Sequence, residues 1–445
     1  FHLLYTLVLP LLLVAPVSAS ERDFEEEYGV ARLSLIQGDV SVRRGDSGDW
    51  TAGAVNSPLV VRDVVQTGQA SRAEVQMDYA HHLRMSANTE IRVRQLEYRR
   101  YLIQIPVGTV TFSVLRDLNA EVELSTAAVS FRPMKQGLYR VTVLGDGRIE
   151  LTVRRGEAEV YSPRGVERLG QGRTMLVRGD PNDPEFQTVS AIPRDRWDEF
   201  NEDRDRVIKR SASYRYVHQD IYGVEDLDGH GRWVQVPGYG TVWQPHVAPG
   251  WAPYRHGRWS WLDFYGWTWV SYDPWGWAPY HYGRWFHTAG FGWCWYPGAV
   301  AYPRYYWRPA LVSFFGFGTG GFRMGIGVGW GNVGWVPLAP YETFYPWYGR
   351  GIIGGFGGRG FGNRTFVDNS VRIVNNVNIY NDYRNARVEN AVSAVQIDQF
   401  GGGRGNIMRV NQENLRRSGV VRGAVPLAPG EDSWRLSDRA ANPQQ

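Results

Sequence analysis

The chain has 445 residues, 49 of them Lys or Arg and 45 Asp or Glu, for a formal net charge of +4. So small a balance over this length argues against a dedicated nucleic-acid binder. Cys294 is the single cysteine, which excludes an intramolecular disulfide and leaves core burial or repeats to hold an exported chain together.

Leu3 to Val17 is an apolar run interrupted by Tyr5, Thr6, Pro10 and Pro16, and it ends in Val17-Ser18-Ala19. That length and ending fit a secretion signal better than a bilayer span. Residues 1–19 are therefore expected to be a signal peptide, with an uncleaved anchor as the alternative. An initiator Met and a basic flank are expected just upstream of Phe1. No later apolar stretch reaches about 18 residues, so a periplasmic or secreted protein without an integral membrane segment is expected after cleavage.

Val30 to Val189 reads as strand after strand. Residues 31–45 alternate apolar and polar, turn at Gly38-Asp39 and resume as Val40-Ser41-Val42; Ala73, Val75 and Met77 share one face at period two. Gly145-Asp146-Gly147 between alternating runs is a hairpin signal. Residues 194–221 then begin with a charge-dense stretch in which Trp197, Phe200 and Val207 form one helical stripe. The expectation is a solvated linker helix.

Thirteen of the 19 tryptophans fall between Trp233 and Trp307, where the chain repeats itself every 26 residues. His230-Gly231-Arg232-Trp233 recurs as His256-Gly257-Arg258-Trp259 and as Tyr282-Gly283-Arg284-Trp285. Tyr239-Gly240, Tyr265-Gly266 and Phe291-Gly292 keep the same spacing, as do Trp243, Trp269 and Trp295. Each unit fits a β-hairpin with aromatic-Gly at its turn, and stacked hairpins are expected to bury a shared aromatic core over residues 222–348. Gly250-Trp251-Ala252-Pro253-Tyr254 and Gly276-Trp277-Ala278-Pro279-Tyr280 connect successive units. Residues 349–445 read as a Gly-rich tail with one convincing strand, Val371 to Tyr380, and a disordered end from Ser433.

Chemical motifs are sparse. Gly329 to Gly334 and Gly355 to Gly360 both fit G-x-G-x-x-G but lack the strand and helix that a dinucleotide site needs. His81, His82, His218, His230, His246, His256, His281 and His287 show no zinc-ligand spacing. Asp226-Leu227-Asp228-Gly229 reads as a turn, since Val224 and Gln235 occupy the first and last places of the corresponding calcium loop. Cys294, flanked by Trp293 and Trp295, reads as a packed thiol, and the Arg-Gly segment 358–364 as a flexible linker. No catalytic set, metal or cofactor is expected.

Two stretches resemble known families. Thr67-Gly68, Ser71-Arg72-Ala73-Glu74-Val75 and Leu83, with Ser125-Thr126, Arg132, Gly137 and Tyr139-Arg140-Val141, resemble the periplasmic FecR-like domain across residues 30–190. That resemblance implies a β-sandwich or β-solenoid module. In iron-citrate regulators it passes a signal from an outer-membrane receptor to a sigma factor, and there a cytoplasmic segment and a membrane helix precede it. The motifs of residues 223–245, 266–285, 308–316 and 334–348 resemble an exported family of unknown function rich in Tyr, Trp, Pro and Gly.

The sequence thus points to an all-β protein of the bacterial cell envelope with a non-catalytic binding or scaffold role. Cell-wall glycan or an envelope protein is the expected partner. A FecR-like signalling component is the second reading and a glycan-active enzyme the third. Trp259 and Trp285, in strands, are expected to be packed. Trp251, Tyr254, Trp277 and Tyr280, in the Pro-containing connections, are expected to stay exposed as the ligand platform. Processing after Ala19 should leave Ser20 as the first residue; N-terminal sequencing of protein recovered from periplasm or medium checks this, and recovery from cytoplasm alone contradicts it.

Overall fold

The computed structural model describes residues 27–116, 119–323, 329–348, 372–403, 407–416, 418–423, 425 and 427–443. The expected signal peptide, the Arg-Gly segment 358–364 and the second G-x-G-x-x-G copy lie outside them. The protein is mostly β strand. Among the described residues no helix is long and apolar enough to cross a membrane.

Residues 31–190 form two layers that share one strand. The first part of Arg100–Val114 pairs in parallel with Glu121–Ser125 in one sheet, and residues 108–114 pair with Gly137–Val143 in the other. Pro106 and Gly108 mark the crossing. Pro has no N–H to donate, and Gly108, at φ +98°, has no room for a Cβ, which would lie 2.5 Å from Thr89 Cα. Leu33, Val75, Leu83, Phe112 and Leu151 of one layer meet Val42, Ile91, Ile103, Phe131 and Val160 of the other in one core. The alternation read from the sequence is this two-sided burial. Gly145–Gly147 does turn a hairpin, with Val143 opposite Ile149, whereas Gly38-Asp39 carries the chain from one layer to the other.

Helix α1, Arg196–Arg210, starts at Asp195, whose carboxylate accepts from Trp197 N and Asp198 N. It is not a solvated linker, and the stripe of Trp197, Phe200 and Val207 is not its most buried face: Trp197 and Phe200 are half-buried, with Trp197 Nε1 donating to Thr111 Oγ1 at 2.9 Å. Asp198, Asn201, Asp205 and Ile208 are buried, while Val207 is 59% exposed. The reason lies in the sheet beneath, which presents charged side chains. Arg84, itself fully buried, donates through Nε to Glu74 at 2.6 Å and through Nη1 to Asp205 at 2.8 Å. Ser113 Oγ donates to Asp205 at 2.7 Å, and Arg154 Nη2 to Asp198 at 2.6 Å. Arg204 returns from the helix to Glu74 at 2.9 Å. A buried charge is tolerated only when paired, so complementary charges and not hydropathy set the helix face.

The three repeats are three hairpins: Gly231–Val236 with Gly240–Pro245, Gly257–Leu262 with Gly266–Ser271, and Arg284–Thr288 with Gly292–Tyr296. Each places two tryptophans directly opposite, Trp233 with Trp243, Trp259 with Trp269 and Trp285 with Trp295. The turn glycines Gly240, Gly266 and Gly292 all have φ near +70°, which only glycine adopts at no cost. The hairpins are not stacked in sequence order. The first and third join edge to edge through Trp243 and Trp295, and the second stands apart with Trp269 N donating to Pro309 O.

The region after 348 is more than a tail. Arg372–Val377, Ser393–Gln396, Met408–Arg409 and Ser418–Arg422 complete a six-stranded sheet with Val312–Arg323 and Gly329–Pro337. The strand expected within Val371 to Tyr380 forms over Arg372–Val377, but the rest of the region read as a Gly-rich tail also supplies strands. Ala394 and Val420 are buried because each packs into the small core around Phe315. The end from Ser433 is also ordered as far as it is described. Leu436 is fully buried in the first core, with its N–H donating to Thr51 Oγ1 at 3.0 Å, and Asn442 N donates to Ser41 Oγ at 3.1 Å.

Burial alone would raise the Glu74 carboxyl, but Arg204 and Arg84 more than offset it and hold it well below the usual range. A carboxyl lowered in the folded state contributes its full stabilisation above the ordinary glutamate range and loses it as pH falls toward the folded value. Resistance to urea should therefore weaken on acidification below about pH 4. At neutral pH Asp205→Ala, which strips Arg84 and Ser113 of an acceptor, should cost about 3–5 kcal/mol. Asp203→Ala, on the exposed side of α1, should change little. Urea denaturation of both variants checks the assignment.

Candidate ligand-binding cleft

The glycine of each G-R-W repeat makes room for the strand across the hairpin, its backbone carbonyl and its indole alike. A Cβ on Gly231 would lie 2.5 Å from the Trp243 ring, on Gly257 2.6 Å from Trp269, and on Gly283 2.6 Å from Trp295 Nε1. Once seated over glycine, the rings pack mostly edge on, Trp259 against Trp269 at 5.4 Å and 68° and against Trp335 at 5.6 Å and 82°. That geometry sets the positive rim of one ring on the negative face of the next. The indole N–H groups of Trp243, Trp259, Trp269, Trp277, Trp285 and Trp307 are buried with no hydrogen-bond acceptor among the described residues. Contact of N–H with a neighbouring π face is the interaction such edge-on packing offers them.

Three of the four residues expected on an exposed platform belong to this core. Tyr254, Trp277 and Tyr280 are fully buried, which corrects the expectation that the Pro-containing connections hold their rings outward. Tyr254 OH donates to Tyr280 O at 2.7 Å and accepts from Leu311 N at 3.0 Å. Tyr280 OH donates to Asp273 at 2.9 Å. Trp277 lies 4.6 Å from the His281 ring and 5.9 Å beneath the Arg32 guanidinium, at the contact with the first two-layered core. Pro279 sits inside the short helical turn Ala278–His281, which folds this connection inward.

Trp251 differs. Its indole packs edge on against Trp285 at 5.4 Å and 61° and tilts against Trp275 at 5.7 Å, yet it remains half-buried. It lines a cleft of about 640 Å³ together with Phe291 and Trp293 from the third hairpin, His287 on the strand beside them, and Arg387, Glu389 and Asn390 from a distant turn. Burial lowers the pKa of His287, leaving a neutral imidazole at neutral pH. Trp251 was legible in the sequence. Phe291 carried a signal too, as the third copy of the aromatic-Gly turn. Arg387, Glu389 and Asn390 carried none, because nothing in their local sequence distinguishes them from other turns.

Groups singled out for chemistry prove structural. Asp226 pairs with the buried Arg32, and Asp228 accepts from Ala212 N and Ser213 N, so the acidic turn joins neighbouring elements. Gly329 to Gly334 lie within a strand paired on both sides. Cys294 is fully buried beside Phe286 and Val242, and burial pushes its thiol up to about 11. Buried His281, its Nδ1 2.7 Å from Arg308 O, is depressed to about 3 by desolvation. Among the described residues no group of three or more His, Cys, Asp or Glu side chains is placed to hold a metal ion.

Residues 224–342 match the family of unknown function DUF6600, a span that contains all three hairpins. No curated protein sequence matches. Two crystal structures, at 1.65 and 2.50 Å, of what is described as an anti-sigma factor from Parabacteroides distasonis ATCC 8503 share 18% identity with this chain. The likeness covers 29% of this chain and 59% of that one, with a TM-score of 0.26 in both cases. An overlap of that size carries no argument about fold or activity.

The position of each ring gives a direct comparison. Trp277→Ala should lower stability by about 3–5 kcal/mol, the cost of emptying a buried aromatic site, as should Trp259→Ala. Trp251→Ala should cost only about 1–2 kcal/mol, because less of that ring is removed from water. Thermal melts of the three variants check the order.

Proposed function

We propose that this is a non-catalytic binding or scaffold protein of the bacterial cell envelope, and that the Trp251 cleft holds its ligand. The supporting observation is the dual placement of Trp251. The indole is locked against Trp285 and Trp275 yet shows part of its surface to a cleft that polar groups also line. A ring fixed before binding loses little freedom on contact, which favours affinity. Binding is favoured over glycan hydrolysis because Glu389 is the single carboxylate among the described residues that line the cleft, and glycosidases of the common type use two. The signalling reading rests on the FecR-like motifs of residues 67–75 and 125–141 and locates no site.

The full-length protein should co-sediment with isolated cell-envelope material and release no soluble fragments from it. Retention accompanied by released sugar would favour an enzyme. Failure to sediment with whole envelope, peptidoglycan or outer membrane would overturn the binding role.

A further inference from the structure

We infer that the Trp251 cleft recognises an uncharged pyranose oligosaccharide. This inference rests on the reading of the cleft as the ligand site and adds the chemistry of what fills it. Its volume, about 640 Å³, lies within the range of small-molecule sites. The surfaces that line it are of two kinds, set on separate segments. Trp251 and Phe291, both half-buried, and the more deeply buried Trp293 supply its aromatic side chains. A pyranose ring carries a patch of C–H bonds that lies flat on an aromatic face, while its hydroxyls point outward around the rim. Arg387, Glu389 and Asn390 line the same cleft and are the groups available to those hydroxyls.

The polar groups are held in place before any ligand arrives. Asn390 has a left-handed backbone, φ +65°, and its carbonyl accepts from Arg255 Nη1 at 2.9 Å. Its Oδ1 is enclosed, while its Nδ2 makes no hydrogen bond among the described residues and is not enclosed, a donor that a hydroxyl can meet. Arg387 is anchored by Nε to Tyr380 O and by Nη2 to Asn381 O, each at 3.1 Å. The Trp251 indole N–H makes no hydrogen bond among the described residues and is not enclosed, so it is a donor at the aromatic wall.

Charge narrows the ligand further. Arg387 and Glu389 cancel, and His287 lacks a proton at neutral pH. A polyanion or a polycation would find one matching charge and one opposing it. A peptide strand that adds to a sheet edge is recognised through a row of backbone groups along that edge. Here the recognising groups are side chains drawn from three segments, the pattern suited to a ring of hydroxyls.

Isothermal titration of the full-length protein with chitotetraose, cellotetraose and maltotetraose tests this, with a proline-rich decapeptide alongside. At least one of the three sugars should bind. Trp251→Ala should weaken that sugar by about tenfold or more, and Trp251→Phe, which keeps a stacking face, should stay within about threefold. Asn390→Gly retains the left-handed backbone and deletes the amide, so it reads the polar wall even where Trp251→Ala folds poorly; about tenfold weakening is expected. No binding of any sugar, unchanged affinity in both Asn390→Gly and Trp251→Ala, or binding of the peptide alone would each overturn the inference. If the protein still sediments with envelope while ignoring all three sugars, the binding role stands and the saccharide assignment falls.

Discussion

The structure turns on a steric bargain between glycine and tryptophan. In each 26-residue unit the glycine of G-R-W clears the space into which the cross-strand indole settles. A side chain as small as a methyl group there would meet the ring at about van der Waals overlap distance, and the paired tryptophans could not close over the strand. Repeating this pair three times supplies enough aromatic surface for one core that draws in Phe314 and Trp335 from the strands that follow and Phe400 from a turn beyond them. A lone two-stranded ribbon has little stability in water. Three of them around common indoles need no disulfide.

Polar chemistry performs the other half of the assembly. Helix α1 is fastened to the first sheet by Glu74, Arg84, Asp198 and Asp205, and the repeats meet the same half of the molecule through Arg32, which reaches Gly223 O and Asp226. Tyr222 OH also donates to Val30 O at 2.5 Å, and Asn56 Nδ2 to Asp273 O at 2.8 Å. Such contacts gain little from hydrophobic transfer, but their partners are specific: an arginine left without its carboxylate in this interior is costly. The arrangement therefore selects one docking geometry more strongly than apolar surface alone would.

Much of the β architecture was legible because period-two burial and turn chemistry are local properties. Val75 and Leu83, the hairpin at Gly145–Gly147 and the three aromatic-Gly turns all follow from neighbours within a few positions. The face of α1 was not legible in the same way. Trp197, Phe200 and Val207 form the apolar stripe, yet the partner surface is charged, and no property of residues 196–210 reveals Arg84 or Glu74. Burial of Tyr254, Trp277 and Tyr280 escaped for a related reason, since proline in a connection fixes a backbone angle without saying which way the loop folds. Of the cleft, Trp251 and Phe291 belong to repeat positions visible in the sequence. Asn390 and its neighbours arrive through the C-terminal sheet, whose strands were too short and too polar at their edges to stand out.

The docking of Leu436 has a consequence for how the molecule comes to be made. Leu436 fills a place in the core of residues 31–177, and its amide bonds to Thr51 across 385 positions of sequence. The first half of the polypeptide is therefore synthesised, and must be kept competent, with its interior still incomplete. Closure waits for a segment 385 positions downstream of Thr51 to emerge, and contacts of such separation are slow to find each other. Truncation ahead of Leu436 would consequently be felt around Thr51, making arrival of this segment a checkpoint on the whole.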